Sequence, residues 1–210
     1  MRFLERKLVT APTKEPISLS SAKQYLRIDT NDEDLAISEA IKAARVTIEH
    51  ITNRALINQT WDVFSDSFPG DDCIELPLGR LQQVASFSWT DSGGTTRTWT
   101  VSGSDLVEGS IVRAHIDTVR EPGEIRLAYN QTWPTHTLKT ANPIKIRASF
   151  GYGSDANDVP ANLVNAVKLM TSHFFDKRDL VVLSDRASVT AEAVPFTLGA
   201  LAGPERLNVL

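Results

Sequence analysis

The hydrophobic pattern of this chain changes its period twice, and that change constrains the fold more than any other feature. Up to about residue 54, and again after residue 151, apolar residues recur at steps of three and four, which is typical of amphipathic helices. Residues 55–150 are instead rich in β-branched and aromatic residues at a period of about two. The sequence therefore predicts an α+β protein in which a small helical bundle is interrupted by an inserted β domain.

Two helices are predicted before the insertion. Ser18 is placed to cap a short first helix, because its hydroxyl can accept from a free backbone amide. The acidic residues 29–34 favour the positive end of a long second helix that runs to about Thr52. The apolar stripe of this second helix consists of Ile37, Ile41, Ala44, Ile48 and Ile51. We expect this stripe to face the core.

A further helix is predicted after the insertion. Pro160 suits its first turn, because the missing amide hydrogen has no intrahelical partner there. Its apolar stripe consists of Leu163, Ala166, Val167, Met170 and Phe174. We expect this stripe to pack against that of the long second helix.

Leu35 and Val46 lie on the opposite, polar side of the long helix. Isolated apolar residues on such a face are commonly ordinary surface residues. The other interpretation is a contact with a neighbouring subunit. These two positions are therefore the candidate subunit-interface residues.

Seven short segments of the insertion have the pattern of β-strands. They are residues 56–64, 73–76, 81–89, 97–101, 111–116, 124–129 and 144–150. Turn residues at 91–94 and 121–123 separate successive strands. The insertion is predicted to be an antiparallel β-sandwich or a barrel-like domain.

These patterns divide the chain into an N-terminal helical segment (1–54), the β domain (55–150), a second helical segment (151–178) and a C-terminal arm with a tail (179–210). The tail from residue 194 onward is unusually apolar for a chain end. Either it packs on its own domain or it docks into a partner protein. The candidate docking residues are Val194, Pro195, Phe196, Leu198, Leu201, Pro204, Arg206 and Leu207.

The sequence contains no recognisable motif for catalysis, metal binding or cofactor binding. The four histidines (50, 115, 136 and 173) have no metal-ligand or nucleophile-elbow spacing, and the single cysteine, Cys73, cannot form an internal disulfide. The sequence predicts no catalytic residue, metal or cofactor. A net charge of −4 gives no general attraction for nucleic acid, and no segment has the length and apolarity of a membrane span. The N-terminus lacks a secretory signal pattern, so folding in the cytoplasm is expected.

Two other functions remain open at this stage. Trp61, Trp89, Trp99 and Trp133 could form a stacking platform in a glycan- or receptor-binding β module, although strand tryptophans are usually core residues. A hydrolase with a Ser-His-Asp set assembled only in three dimensions would also leave no sequence motif.

The ordered set of motifs resembles the head-tail connector proteins, or adaptors, of tailed bacteriophages and gene transfer agents. The matching segments are residues 16–29, 52–57, 133–134, 148–153, 159–160, 166–167, 177–178 and 194–195, with Leu201 and Arg206. The tail differs from the family pattern, because it lacks a second leucine and an aromatic residue before Arg206.

The resemblance implies a structural protein of the virion neck. It would form a ring, usually of twelve copies, beneath the portal protein and would join the capsid vertex to the next neck or tail protein. DNA would pass through the channel without specific binding. The resemblance also implies that the C-terminal segment reaches the portal. Assembly would take place in the bacterial cytoplasm.

Overall fold

The computed structural model describes residues 5–176 and 196–207 of the 210-residue chain. The chain divides into two compact units. The sheet unit comprises Met1–Pro12, Asn53–Tyr152 and Leu207–Leu210, and the helical unit comprises Thr13–Thr52 and Gly153–Arg206. Each unit is therefore built from separated segments of the sequence.

The sheet unit contains nine strands in one antiparallel sheet. The strands are β1 (Glu5–Thr10), β2 (Gln59–Ser65), β3 (Cys73–Glu75), β4 (Leu81–Thr90), β5 (Thr96–Ser102), β6 (Asp105–Glu108), β7 (Ile111–Asp117), β8 (Glu124–Leu127) and β9 (Ile144–Phe150). Their order across the sheet is β1-β2-β9-β4-β5-β6-β7-β8-β3, which leaves β1 and β3 at the two edges. The sheet curls into a half-barrel.

Irregular pairing of β4 with β9 explains some of the curl. The register shifts between Leu81 and Gln83 and again between Val84 and Ser86. Such bulges bend a strand and increase its local twist, so the sheet curves instead of staying flat. The barrel-like form of the prediction is closer to this structure than the sandwich, since the strands form a single sheet.

The core of the sheet unit is built from alternating strand residues. In the interior strand β9, Ile144, Ile146, Ala148 and Phe150 are all fully buried, as the period of two requires. Aromatic rings fill the remaining space: Phe87 stacks on Trp99 with ring centroids 5.2 Å apart. Each large aromatic ring buries about 150–250 Å² on folding, so this cluster is a major source of the unit's stability.

All seven predicted strands are present with shifts of a few residues at their ends. Two strands were not predicted. β1 lies within the N-terminal segment that the sequence assigned to helix, and its charged, mostly exposed sequence gives no apolar alternation. β6 has only four residues and lies between two glycines with positive φ, Gly103 and Gly109. Such a short strand is difficult to distinguish from a turn.

The helical unit contains α1 (Leu19–Leu26), α2 (Asp34–Thr52), α3 (Ala161–Asp176) and α4 (Phe196–Ala202). The predicted N-cap is confirmed, because the Ser21 amide donates to the Ser18 hydroxyl oxygen at 3.1 Å. α2 packs against α3. The stripe residues Ile37, Ile41, Ala44, Ile48, Leu163, Ala166, Val167 and Met170 are buried as predicted, whereas Ile51 and Phe174 are half-buried.

The C-terminal tail, for which the sequence predicts no secondary structure, is partly helical. Residues 196–202 form α4, and Gly203–Glu205 continue as a short 3-10 helix. Leu198 and Ala202 are buried, which explains why a helix forms here: its apolar side is covered by the helical unit. The predicted arm, from residue 179 to the start of the tail at residue 194, lies within residues 177–195, which are outside the described residues.

Candidate assembly surfaces

The outer face of α2 carries the two candidate subunit-interface residues. Leu35 is 75% exposed and Val46 is 55% exposed, on the side away from the buried stripe. They are eleven residues apart along the helix, which corresponds to about 16 Å along its axis. The helix thus presents two separate apolar contacts on a polar surface. Their role as an interface stays a prediction.

An ion-pair network fixes this helix within its unit. The Arg45 guanidinium donates to Glu15 at 2.8 Å and to Glu49 at 2.9 Å, and the Arg45 side chain is only 11% exposed. Burial would lower the pKa of Arg45, but the two carboxylates outweigh it and raise the pKa above its ordinary value. Sequence analysis missed this network, because Glu15 is thirty residues away from Arg45.

A second ion pair links α1 to the start of α2. The Lys23 ammonium donates to the Asp34 carboxylate at 2.7 Å and to the Asn31 side-chain oxygen at 2.6 Å. Lys23 and Asp34 both lie in stretches that sequence analysis singled out, one for the family motif and one for helix capping. The structure shows that they contact each other, which orients the first two helices.

The candidate docking residues divide into two groups in the structure. Leu198 is 2% exposed and Leu207 is 6% exposed, and Leu201 is half-buried, whereas Pro204 and Arg206 are exposed. Phe196 begins α4. Val194 and Pro195 lie outside the described residues. Leu198 and Leu207 therefore pack within the protein itself. The docking role of the candidate residues stays a prediction.

Hydrogen bonds hold the tail in both units. Within the helical unit, the Asn162 side-chain amide donates to the Leu201 carbonyl and to the Glu205 carboxylate, each at 3.3 Å. Within the sheet unit, the Asn53 side-chain amide donates to the Leu207 carbonyl at 3.3 Å. The exposed Pro204 and Arg206 are thus presented on a segment whose neighbours are anchored.

An ion pair between a half-exposed arginine and a buried aspartate lies in the sheet unit. Arg147 on β9 forms a two-point ion pair with Asp62 on β2, at 2.7 and 2.9 Å. The hydrogen bonds from the Arg147 guanidinium lower the pKa of Asp62 below its ordinary value, against the opposing effect of burial. This pair joins the two neighbouring strands through their side chains.

A second charged cluster lies where the chain enters the sheet unit. Arg54 is buried and its guanidinium lies 2.5 Å from the Glu121 carboxylate, which Arg80 also contacts at 3.3 Å. Burial would raise the pKa of Glu121, but the two arginines lower it overall. Gly79 permits this arrangement, because an added Cβ there would lie 2.7 Å from the Arg54 Cγ.

The tryptophans do not form an exposed platform. Trp89, Trp99 and Trp133 are buried in the core, and Trp61 is partly buried against it. The Trp133 indole also donates to the Asp71 carbonyl at 2.8 Å, so its polar edge is used internally. The glycan- or receptor-binding alternative, which needed these rings at the surface, is not favoured.

One histidine forms a pair with a carboxylate among the described residues. His115 on β7 lies 2.7 Å from Asp105 on the neighbouring strand β6; His115 is exposed and Asp105 is half-buried. Within residues 5–176 and 196–207, no three His, Cys, Asp or Glu side chains are grouped to hold a metal ion. Across the same residues, the helices are too short or too polar to span a membrane.

The family comparison concerns the N-terminal region of the chain. Residues 16–86 match the sequence model of the phage gp6-like head-tail connector proteins. The resemblance to head-tail connectors is confirmed. The matched segment includes α1, α2, β2, β3 and the first half of β4, but not β1. No curated protein sequence matches the chain.

Solved structures with a similar fold come from gene transfer agent (GTA) particles. A chain in the neck of an empty GTA particle, computed with C6 symmetry, matches with a TM-score of 0.72 at 22% identity. A chain in the virion of a native GTA particle gives 0.71 at 20%, and one in the native neck, computed with C12 symmetry, gives 0.68 at 19%. Each match covers 99% of this chain and 97% of the other. These matches show a shared fold.

Proposed function

We propose that this protein is a structural head-tail connector of a tailed phage or a gene transfer agent. It joins the capsid vertex to the neck and tail and leaves a channel for DNA. Two findings together support this proposal. Residues 16–86 match the connector family, and the structural matches to GTA neck and virion components cover 99% of the chain. Sequence and fold support the same role independently.

The protein acts as a ring of twelve copies. The similar neck structures were computed with C6 and C12 symmetry, and a ring of twelve is compatible with both. The exposed Leu35 and Val46 are proposed to contact the neighbouring subunit, since removing isolated apolar side chains from water favours association. The buried Arg45 network keeps α2 fixed, so the two contacts are presented in a constant geometry.

The C-terminal segment docks on the portal protein. In this proposal, the buried Leu198 and Leu207 anchor the segment to its own chain, and the exposed Pro204 and Arg206 contact the partner. Val194, Pro195, Phe196 and Leu201 also belong to the proposed contact. Repetition around a ring makes weak individual contacts sufficient for stable attachment. The opposite side of the ring would receive the next neck or tail protein.

The channel does not bind DNA specifically. The chain has a formal net charge of −4, and many of its arginines are engaged by carboxylates, as in the pairs Arg147–Asp62 and Arg45–Glu15. Nonspecific DNA binding depends mainly on free cationic groups that neutralise phosphates. A mildly acidic conduit would let DNA slide through. The protein would assemble in the bacterial cytoplasm and remain in the virion neck.

Arg206→Glu tests the docking claim more sharply than deletion of the tail. Deletion of residues 194–210 would remove the buried Leu198 and Ala202 and would destabilise the protein itself. Arg206 is exposed, so its charge reversal should leave the thermal unfolding midpoint unchanged while lowering binding to portal-bearing capsids. Co-sedimentation of the purified protein with tailless capsids measures this binding.

The matched control is Lys139→Glu, which makes the same charge change at an exposed loop residue of the sheet unit. This variant should bind capsids normally. Normal binding by Arg206→Glu and Pro204→Asp together would contradict the docking role of this segment. Failure of the unmodified protein to bind any portal-bearing capsid of its own particle would contradict the connector function itself.

A further inference from the structure

The two free edges of the half-barrel sheet differ in charge. β1 and β3 are the end strands, and each has a neighbouring strand on one side only among the described residues. Unpaired edges expose backbone donors and acceptors that can pair with another strand. The edges of this sheet therefore offer two contact sites per copy. The β1 edge carries one carboxylate and two cations, Glu5, Arg6 and Lys7, whereas the β3 edge is acidic.

Lys7 gives the β1 edge its available positive charge. It is exposed and forms no ion pair with any described residue. Arg6 on the same strand is instead half-buried, with its guanidinium 5.7 Å from the centre of the Trp61 ring. Leu8 and Val9 follow, and each is 41% exposed. This edge therefore combines an exposed ammonium, which lies opposite Asp62 of β2 and on the same strand as the exposed Glu5, with two partly exposed apolar side chains.

The β3 edge carries carboxylates. Glu75 ends the strand, and Asp71 lies two residues before its start. Both are exposed and pair with no cationic side chain in the described region of the chain. Asp72 is different, because it already pairs with Arg126 at 3.0 Å. Cys73, on the strand itself, is half-exposed. The acidic edge thus has two free carboxylates available for a cation from outside.

We propose that β1 of one copy pairs edge to edge with β3 of the next copy. This inference rests on the proposed ring and specifies how its subunits join. A contact between two different surfaces is heterologous, so every copy uses one edge toward each neighbour, and the series closes into a ring when the rotation permits. A contact between two β1 edges would instead bring the Lys7 ammonium groups together, which is unfavourable. It would also stop at a dimer.

Disulfide trapping tests the contact directly, because Cys73 is the only cysteine of the chain and lies on β3. Leu8→Cys and Val9→Cys each add one cysteine to β1, and successive strand positions sample both faces. Opposed residues of paired strands lie about 4.5–5.5 Å apart, which suits a disulfide. Burial raises the pKa of the Cys73 thiol, so the purified full-length protein is oxidised at alkaline pH.

The expected result is a ladder of covalent species that extends beyond the dimer for at least one of the two variants. Adding Cys73→Ser should abolish the ladder, because one cysteine per chain can give dimers at most. Thr98→Cys is the matched control, since Thr98 is exposed on β5, which has neighbours on both sides. No species beyond a dimer at either position, or an equal ladder from Thr98→Cys, would overturn the proposal.

Charge reversal gives an independent measure. Lys7→Glu and Glu75→Lys should each lower the yield of trapped oligomer about 1.4- to fivefold, which is the range for an exposed ion pair. The double variant should recover it. Rings of normal mass that yield no trapped ladder would refute the edge contact and leave the connector function intact. A normal ladder of trapped oligomers together with loss of capsid binding would support the edge contact and contradict the connector function.

Discussion

At the scale of single residues, Gly151 is the position where the backbone tolerates least change. It follows β9 with a φ of +145°, and an added Cβ would lie 2.6 Å from the Asn58 amide nitrogen. Its own backbone is bonded on both sides, from the Gly151 amide to the Arg80 carbonyl and from the Gln82 side chain to the Gly151 carbonyl. The chain cannot shift away without losing these bonds.

Gly151→Ala is therefore expected to lower the free energy of unfolding by about 3 kcal/mol, from backbone strain and overpacking together. Two other glycines separate these causes. Gly94 has a φ of +85° but open space, so Gly94→Ala should cost only the strain of about 1 kcal/mol. Gly70 has neither constraint, and Gly70→Ala should change stability by less than about 0.5 kcal/mol. Urea denaturation measures all three, and equal losses for Gly151→Ala and Gly94→Ala would contradict the packing argument.

Asp62 gives the stability of the protein a dependence on acid pH. Its pKa is lowered in the folded state by Arg147, so its ionised form stabilises the fold at neutral pH. This contribution is present above the unfolded-state pKa of about 3.9 and is lost as the pH falls through the lower, folded-state value. Asp62→Asn should lower stability at pH 7 by about 1–2 kcal/mol, because one charged hydrogen-bonding partner is removed.

The same variant should show a shallower loss of stability than the unmodified protein when the pH is lowered below about 4. Thermal unfolding followed over a pH series measures the slope. Glu39→Gln is the control, since Glu39 is an exposed carboxylate on α2 with no ion pair among the described residues. If stability falls with the same slope below a pH of about 4 in Asp62→Asn and in the unmodified protein, the Asp62–Arg147 pair does not cause the pH dependence of stability.

At the scale of elements, sequence periodicity predicted the helices and strands that bury one face and missed a strand that is mostly exposed. α2 and β9 were predicted because their apolar residues recur at steps of about 3.6 and 2, and the structure buries those residues. β1 was missed because only one side of it pairs and most of its side chains are exposed. Its place in the sheet follows from pairing with β2, more than fifty residues away, and no local pattern encodes that contact.

The C-terminal element was missed for a different reason. α4 has only seven residues, and two of its seven positions, Gly199 and Thr197, are poor helix formers. An isolated helix of this length is unstable in water, so its formation depends on packing of Leu198 and Ala202 against the helical unit. The same apolar content suggested a docking tail in the sequence. Composition alone does not separate burial within a chain from burial against a partner, because both remove the same side chains from water.

At the scale of the whole molecule, assembly depends on residues that contribute little to the fold. Leu35 and Val46 project from a helix whose core face is already filled, so changing them should leave the monomer's stability nearly unchanged. If they form the subunit contact of the proposed ring, a charge there would be buried without a partner in every interface. Fold and assembly can therefore be tested by separate measurements on the same variants.

The double variant Leu35→Lys, Val46→Lys is expected to fold normally and to fail to form rings. Native mass spectrometry of the protein, alone and with portal, measures the stoichiometry, and circular dichroism checks the helices. The matched control is Ile111→Lys, which places the same charge on a similarly exposed apolar residue of the sheet unit, 50% exposed in the structure. If the double variant forms rings of normal mass, Leu35 and Val46 on α2 are not needed for the subunit interface. In that case the ring would have to be held by other surfaces, of which the β1–β3 edge contact is the one already open to disulfide trapping.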